Sequence, residues 1–519
     1  MKPTLLAIAA SLAMMSAPLL HAANGVPIAS PTAMPANAPV KHVLLISIDG
    51  MHASDLQHFI AQYPNSVLAG LAKQGIDYTN AFTTEPSDSF PGMVALATGG
   101  TPAVTGVYYD DSYDRLLAAP GTHCATLGTR VLYNEGVDRP DAEGHGVMDP
   151  AKLPLDPRTG CVPVFPHSYL RVNTLFEVVR AAGGYTAWTD KHPTYDILNG
   201  PSGRGVDDLF VPEIGSNYEG LSTKRGPGIT SSLTKTEDYD DMKGLSVINE
   251  IEGKTHDGSA SAPVPNVMGF NLQELNIAQK LYGYKNANAD LTPGVEEAMR
   301  HSDALIGRLV DALAKQDLRN STLIIVTAKH GNGPTNPALL QKISPKKLAQ
   351  VIDDAMPGAL AHMTPDDGVL VWLKGGADAS NHVASEAQTA HVVAALRANA
   401  KVLGIADVLS GSRLAMRFAS PQYDSRVPDL IIIAHDGVIY TSPKSGKLVE
   451  HGGFHDDDRH VGLLVSNPQL ANSGSHPRSQ VSLTQVAPTI LSVLGLSPRS
   501  LQAVAEQGTK DLPDVIWKR

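Results

Sequence analysis

Short apolar runs alternate along the chain with segments that have the spacing of amphipathic helices. Apolar runs predict strands at 43–48, 185–188, 267–270, 323–326, 430–434 and 461–465. Helical spacing predicts helices at 66–74, 91–98, 173–182, 292–315 and 481–494. Apolar strands of four to six residues between helices are typical of a mostly parallel sheet that is covered on both faces. The pattern therefore predicts an α/β fold.

Three longer segments have weak periodicity, and we interpret them as insertions. They are 105–170, 200–262 and 335–428. The last contains a predicted strand at 369–373 and a predicted helix at 385–399, which favours a small cap subdomain over 335–428. The core would then be formed by residues 41–334 and 429–519, and no internal repeat is visible.

The first residues have the pattern of an export signal. Lys2 precedes an apolar run over 5–20, and the small residues Ala22 and Ala23 follow. This arrangement predicts a signal peptide over 1–22 that is removed by cleavage, and the alternative is a membrane anchor. Residues 23–40 are rich in Ala and Pro and predict a flexible leader. We expect a periplasmic or secreted protein with no transmembrane segment after signal removal.

Composition and charge narrow the class of partner. The 519 residues include 41 Lys and Arg against 52 Asp and Glu, a net charge of −11. This acidic balance argues against binding to a nucleic-acid duplex. Cys124 and Cys161 are the two cysteines of the chain, and in an exported protein they predict one disulfide worth about 3–4 kcal/mol. The alternative is a pair of free, buried thiols.

The candidate catalytic and metal-binding residues lie next to predicted strands and one predicted helix. Asp49 follows the strand at 43–48, His330 follows the strand at 323–326, and His451 lies in a glycine-containing stretch near other predicted strands. Ligands of such sheets bind at the carboxyl ends of the strands. Ser89 precedes the helix at 91–98, so it is either an N-cap or a nucleophile at a helix N-terminus, where an alkoxide and a phosphate oxygen are favoured. The chain has no G-x-S-x-G elbow, phosphate-loop motif or H-E-x-x-H motif.

The order of these residues resembles the alkaline phosphatase superfamily, and more narrowly its type I phosphodiesterase/nucleotide pyrophosphatase group. The resemblance runs from about 41 to 497 and rests on Asp49, Ser89-Phe90-Pro91, His330-Gly331, His451-Gly452 and Ala487-Pro488-Thr489-Ile490. It implies an alkaline-phosphatase-like three-layer sandwich and hydrolysis of a small phosphorylated substrate, with phosphodiesters and nucleotide pyrophosphates as the leading classes. It also implies zinc or another divalent metal, one or two ions, and a phosphoryl-enzyme intermediate on Ser89.

The resemblance implies that Asp49, Ser89, His330 and His451 are metal ligands, but three of the family's seven ligand positions differ. Lys329 stands where the family has an aspartate beside His330. Asn276 and Lys280 stand where it has an Asp-x-x-x-His pair. A protonated lysine has no lone pair for a metal ion.

Three explanations of the mismatch remain open. Nearby residues such as Asp190 and His192 are possible substitute ligands. Alternatively, the enzyme uses one metal or none, and Lys280 and Lys329 act in catalysis by supplying positive charge or a base for Ser89. In the third, the protein is a non-catalytic binding protein. A phosphonate hydrolase is an enzyme rival, whereas a sulfatase is disfavoured because neither cysteine begins a Cys-x-Pro-Ser-Arg motif. The oligomeric state is not predicted.

Overall fold

The computed structural model describes residues 34–141, 146–215, 228–375 and 383–518. The predicted signal peptide and most of the predicted leader lie outside these residues. The described end of the leader, 34–40, packs on the core instead of standing free. Val40 is buried, its N–H donates to the carbonyl of Val493, and the Met34 N–H donates to the carbonyl of Ala182.

A mostly parallel sheet forms the centre of the molecule. Within the described ranges it has seven strands, which in chain order are β1 (His42–Ile48), β2 (Gly75–Asp77), β3 (Ala187–Thr189), β4 (Asp208–Phe210), β5 (Val267–Leu272), β6 (Thr322–Thr327) and, near the C-terminus, β11 (Leu464–Ser466). Their spatial order is β4-β3-β5-β1-β6-β11-β2. The five neighbouring strands β4, β3, β5, β1 and β6 are parallel to one another. Strand β11 is antiparallel to both of its neighbours.

Helices cover this sheet in two groups. The longer helices are α1 (Ala53–Gln62), α2 (Val67–Gln74), α3 (Ser89–Thr98), α4 (Leu175–Ala181), α5 (Leu233–Ile251), α6 (Glu274–Tyr282), α7 (Pro293–Lys315), α8 (Pro345–Ala355), α9 (Glu386–Ala398) and α10 (Val486–Val493). Helices α1, α2, α5, α6 and α7 contact one another, and α3, α4 and α10 form a second contacting group. With β1, β5 and β6 fully buried between the groups, the predicted α/β architecture is confirmed.

A second sheet forms the cap region. It consists of β7 (Leu360–Pro365), β8 (Gly368–Leu373), β9 (Ile405–Ser410) and β10 (Leu430–Ala434), in the spatial order β7-β8-β10-β9 with antiparallel pairing. The strand at 430–434 was expected in the core, so the boundary at 428 is too early. A fully apolar strand fits the interior of either sheet, and its sequence does not say which one it joins.

The segment over 105–170 is held by the predicted disulfide. Cys124 and Cys161 are bonded, 37 residues apart, in a small sheet built on the strands Asp111–Ala118 and Leu127–Leu132. Among the described residues, no helix is both long enough and apolar enough to cross a membrane.

Candidate active site

Four neighbouring parallel strands end at one edge of the central sheet and deliver polar side chains there. Lys191 follows β3, Gln273 follows β5, Asp49 follows β1, and Lys329 and His330 follow β6. This edge is where ligands bind in open parallel sheets. We call Asp49, Ser89, Lys191, Lys329 and His330 the inner pocket.

Ser89 is the first residue of α3 and not its cap. The N-cap is Asp88, whose carboxylate accepts the N–H of Phe90 at 3.0 Å. The Ser89 hydroxyl is therefore available to other side chains, and its Oγ lies 3.0 Å from His330 Nε2 and 3.1 Å from Lys191 Nζ. His330 Nδ1 lies 2.9 Å from the carbonyl of Gly331, which assigns the ring proton to Nδ1. Ser89 then donates to Nε2 while its Oγ accepts from Lys191.

One carboxylate oxygen of Asp49, Oδ2, is the main hydrogen-bond acceptor of the inner pocket. Its Oδ2 accepts from Lys191 Nζ at 3.0 Å and from the Gln273 amide, and Lys329 Nζ lies 3.4 Å away. Burial alone would raise the pKa of Asp49, but Lys191 and Lys329 outweigh it and hold that pKa well below its usual range. Asp49 is therefore ionised and neutralises part of the lysine charge.

The two lysines of the inner pocket differ in their surroundings. Lys329 is fully buried, and its Nζ donates to the Tyr195 hydroxyl at 2.6 Å and lies 3.5 Å from Asp190. Burial and the nearby Lys191 lower the pKa of Lys329. For Lys191, burial opposes the charge, but Asp49 and Asp190 raise its pKa above the usual value. Lys191 is the lysine that touches Ser89.

Close backbone packing sets the position of α3. A Cβ on Gly92 would lie 2.2 Å from the carbonyl oxygen of Lys329, so a side chain at this position would push α3 away from the end of β6. The Thr83 hydroxyl donates to the same carbonyl at 2.6 Å. These contacts hold Ser89 opposite Lys329 and His330.

A buried carboxylate fixes Gln273. Asp240 of α5 accepts the N–H groups of Gln273 and Glu274 at 2.6 and 2.8 Å, and Lys243 pairs with Asp240 at 2.9 Å. These hydrogen bonds fix the loop after β5 against α5. The Gln273 amide can then both donate to Asp49 and accept from Lys191 at 3.3 Å.

A second group, the outer pocket, consists of Lys280, Glu450 and His451. The rings of His451 and His330 have centroids 4.1 Å apart, so the two pockets touch. Lys280 Nζ lies 2.6 Å from the Glu450 carboxylate, which also binds Lys447. Burial, the repulsion that a second imidazolium at His330 would exert, and the charge of Lys280 hold the pKa of His451 well below its usual value. His451 is therefore neutral.

Buried polar atoms without a partner mark the boundary between the two pockets. Among the described residues, Asp49 Oδ1, Asp88 Oδ1 and His451 Nδ1 make no hydrogen bond, and the last two lie 3.6 Å apart. Buried polar atoms are rarely left unsatisfied, and such atoms call for a ligand or solvent. We therefore expect a polar substrate group to bind here.

The structure brings the predicted residues Asp49, Ser89, Lys329, His330 and His451 together, and of the two substitute ligands Asp190 lies beside the inner pocket while His192 pairs with Glu213. Asp190 accepts from Trp188 Nε1 at 3.1 Å and faces Lys329. His192 Nδ1 lies 2.8 Å from Glu213. Within the described ranges, one group of three potential ligand side chains has its atoms within 4.8 Å of one another: Glu135, His192 and Glu213.

Sequence reasoning missed Lys191 and Gln273. The stretch 190–192 follows a predicted strand, and its sequence predicts ligands only at the carboxylate of Asp190 and the imidazole of His192. The signal that could have found Lys191 is the same one that found Asp49: its position directly after a strand of a parallel sheet.

Comparison with known proteins agrees with this architecture. Residues 43–458 match the family model for type I phosphodiesterase/nucleotide pyrophosphatase. The crystal structure of the wild-type alkaline phosphatase PafA is similar with a TM-score of 0.63 at 14% identity, covering 93% of this chain and 100% of that one. Murine ectonucleotide pyrophosphatase/phosphodiesterase 5 is similar with a TM-score of 0.56 at 14% identity, covering 88% and 96%.

The chain belongs to the type I phosphodiesterase/nucleotide pyrophosphatase family and has the alkaline-phosphatase-like fold. It is a hydrolase of phosphoric ester or phosphoanhydride bonds. The predicted family and fold are thereby confirmed. Enzymes of this kind generally use divalent metal ions such as zinc.

The inner pocket does not fit a pair of such ions. Lys191 and Lys329 place two ammonium groups 3.0 and 3.4 Å from the one carboxylate of the pocket, Asp49. An ammonium group repels a cation and offers it no lone pair. The remaining lone pairs of the inner pocket belong to Asp49 Oδ1, Ser89 and His330, and the position expected to add a second carboxylate is Lys329. The adjacent carboxylate of Asp190 already accepts from Trp188 Nε1 and from the Lys191 N–H.

Proposed function

We propose that the protein is an exported phosphoric-ester hydrolase in which Ser89 is the nucleophile. The observation that carries the proposal is the position of Ser89 Oγ, 3.0 Å from His330 Nε2 and 3.1 Å from Lys191 Nζ, at the carboxyl edge of the sheet. A hydroxyl between a proton acceptor and a fixed positive charge is the arrangement that activates a weak nucleophile.

The proposed reaction has two steps. Ser89 Oγ attacks phosphorus in line, its proton passes to His330 Nε2, and the bond from phosphorus to the leaving oxygen breaks. The leaving oxygen takes up a proton from solvent, and a phosphoserine remains. Water then attacks the phosphoserine and gives up a proton to solvent. As the bond from phosphorus to Ser89 Oγ breaks, His330 Nε2 returns its proton to Oγ, which releases the phosphoryl product and restores the Ser89 hydroxyl. Lys191 stabilises negative charge on Oγ in both steps because its ammonium group donates to that atom.

The remaining lysines would have different roles. Lys329 adds positive charge next to Asp49 without touching Ser89. Lys280 organises the outer pocket through Glu450, which binds its ammonium group at 2.6 Å. We do not assign either one as the base, because His330 Nε2 already accepts from Ser89.

Phosphodiesters and nucleotide pyrophosphates are the substrates that we consider first. The family description supports this choice. So does the structure of an inactive variant of murine ectonucleotide pyrophosphatase/phosphodiesterase 5 in complex with AMP. The disulfide between Cys124 and Cys161 supports the export half of the proposal, because such bonds persist in oxidising compartments.

The test compares Ser89→Ala with Ser87→Ala on a bis-aryl phosphate and a nucleotide pyrophosphate. Ser87 is buried two residues away, and its hydroxyl donates to the carbonyl of Asp458, so it serves as a matched control. We expect Ser89→Ala to abolish turnover and Ser87→Ala to retain most of it. Mass spectrometry of quenched wild-type protein should find a phosphoryl group on Ser89. Equal activity of both variants would contradict the proposal, and phosphate binding without turnover would favour a binding protein.

A further inference from the structure

The residues that replace the family's metal ligands add positive charge. Lys329 in place of an aspartate changes the local charge by two units. Lys280 in place of a neutral histidine and Asn276 in place of an aspartate change it by one unit each. Relative to the implied ligand set, the three replacements change the local charge by four units, which equals the charge of two divalent ions, although Glu450 pairs with the Lys280 ammonium group. Loss of ligands without compensation would not produce this balance.

The positions of the ammonium groups fit the same interpretation. Lys191 Nζ lies between Asp49 Oδ2 at 3.0 Å and Ser89 Oγ at 3.1 Å, so it bridges a carboxylate and the nucleophile. In a metal-assisted site, Asp49 and Ser89 would be among the residues that hold the ion, and the ion would stabilise negative charge on the nucleophile. Lys329 Nζ, 3.4 Å from the same carboxylate oxygen and 3.5 Å from Asp190, is the second positive charge.

The surrounding structure holds both lysines in place. Lys329 is fixed by the Tyr195 hydroxyl at 2.6 Å, and its ammonium group also lies 4.5 Å from the centre of the Tyr195 ring. Lys191 is fixed by the Gln273 amide oxygen at 3.3 Å. Neither side chain can swing away to leave room for an ion without breaking buried hydrogen bonds, which is costly.

We infer that the ammonium groups of Lys191 and Lys329 take the place of metal ions at Ser89, so that the inner pocket binds phosphoryl groups without a tightly bound divalent ion. The catalytic part of this inference rests on the proposed function. The part that concerns metal content and phosphate binding does not.

The first experiment measures metal content on the wild-type protein after dialysis against zinc and then against buffer. We expect far less than one ion per chain by elemental analysis, and no change in melting temperature when a chelator is added. One or two ions per chain that are retained by the wild type and also by His192→Ala, which removes a ligand of the separate group Glu135, His192 and Glu213, would overturn the inference. Ions that His192→Ala loses belong to that separate group, and the inference then stands.

A second experiment attempts to restore a metal site. The variant Lys191→Ala/Lys329→Asp removes both ammonium groups and returns a carboxylate beside Asp49 and His330. We expect it to retain zinc, whereas the control Lys191→Ala/Lys329→Ala should not. Equal zinc retention by the wild type and the folded Lys191→Ala/Lys329→Asp variant would contradict the inference, because the lysines would then not decide metal binding.

A third experiment uses inorganic phosphate as the probe on chelator-treated protein. Phosphate should raise the melting temperature of the wild type and should not raise that of Lys191→Ala. An equal rise in both would overturn the role of Lys191. Metal-free protein that binds phosphate but hydrolyses no ester would refute the proposed function and support this inference. Hydrolysis that depends on a bound metal ion would support the proposed function and refute this inference.

Discussion

The inner and outer pockets both contain lysines at or near positions where the family resemblance implies metal ligands, but the two pockets use that charge differently. In the inner pocket, Lys191 touches the Ser89 hydroxyl, and Asp49 neutralises only part of the charge. In the outer pocket, Lys280 is bound by Glu450 at 2.6 Å, and Lys447 binds the same carboxylate. A lysine substitution therefore does not define a role by itself. The residue that pairs with the lysine decides whether the ammonium charge can stabilise a bound substrate.

The largest expected effect separates the two pockets by activity. Lys191→Met should lower kcat/KM by about 10²–10³-fold, the usual cost of removing one donor that stabilises transition-state charge. Lys280→Met should lower it by less than about tenfold, because the Lys280 charge is already neutralised by Glu450. Steady-state kinetics on one phosphodiester, with both variants checked for a native melting curve, make the comparison. Equal losses in the two variants would remove the distinction between the pockets.

The next effect concerns stability and belongs to the outer pocket. Glu450→Gln leaves Lys280 with no full negative charge at a site where both side chains are mostly buried. Removing one member of a buried ion pair typically costs 3–5 kcal/mol, and the partial exposure of Lys280 places our expectation at about 3 kcal/mol. Urea denaturation of Glu450→Gln beside the wild type measures it. A loss under about 1 kcal/mol would mean that the pair is not a structural element.

The same pair predicts a dependence on pH. Burial by itself would raise the pKa of Glu450, but Lys280 and Lys447 lower it to about 2. Since the unfolded value is near 4.5, the contribution to stability is fully present above about pH 4.5 and is lost as the pH falls toward 2. The difference in unfolding free energy between wild type and Glu450→Gln should therefore shrink between pH 7 and pH 3. A difference that is constant over this range would contradict the assignment.

The smallest effects sharpen the position of the inner pocket. Gly92→Ala places a Cβ 2.2 Å from the Lys329 carbonyl and should cost about 1–3 kcal/mol through overpacking, with a fall in kcat as α3 moves. Gly70→Ala is the matched control in α2, where a Cβ meets no atom within 4 Å, and it should stabilise by about 0.5–1 kcal/mol. Thermal unfolding measures the change in stability of the two variants, and steady-state kinetics measure the change in kcat. An active, stable Gly92→Ala would show that the close approach is not needed.

The sequence predicted the central sheet well because its inner strands are apolar on both faces. β1 and β6 were expected to within one residue at each end. Helix α5 was missed, and its residues show why. Its buried face includes Asp240, Lys243 and Glu250, so the hydrophobic period that identifies a helix is weak there.

The site was predicted in part for a related reason. Asp49, Ser89, His330 and His451 stand in motifs whose residue types suggest metal ligation or nucleophilic chemistry. Lys191 does not, since a lysine is not a metal ligand while it is protonated, and it lies 102 residues from Ser89 in the chain. The pairing of β3 with β5, and of β5 with β1, brings its ammonium group to Asp49, and the packing of α3 on the Lys329 carbonyl places the Ser89 hydroxyl beside it.

The replacement of metal ions by lysines at Ser89 is tested most directly by measuring turnover and metal content on the same sample of purified mature protein. We predict full Ser89-dependent hydrolysis of a phosphodiester at far less than one divalent ion per chain, with no loss in the presence of chelator. Activity that rises in proportion to bound metal, toward one or two ions per chain, would contradict it.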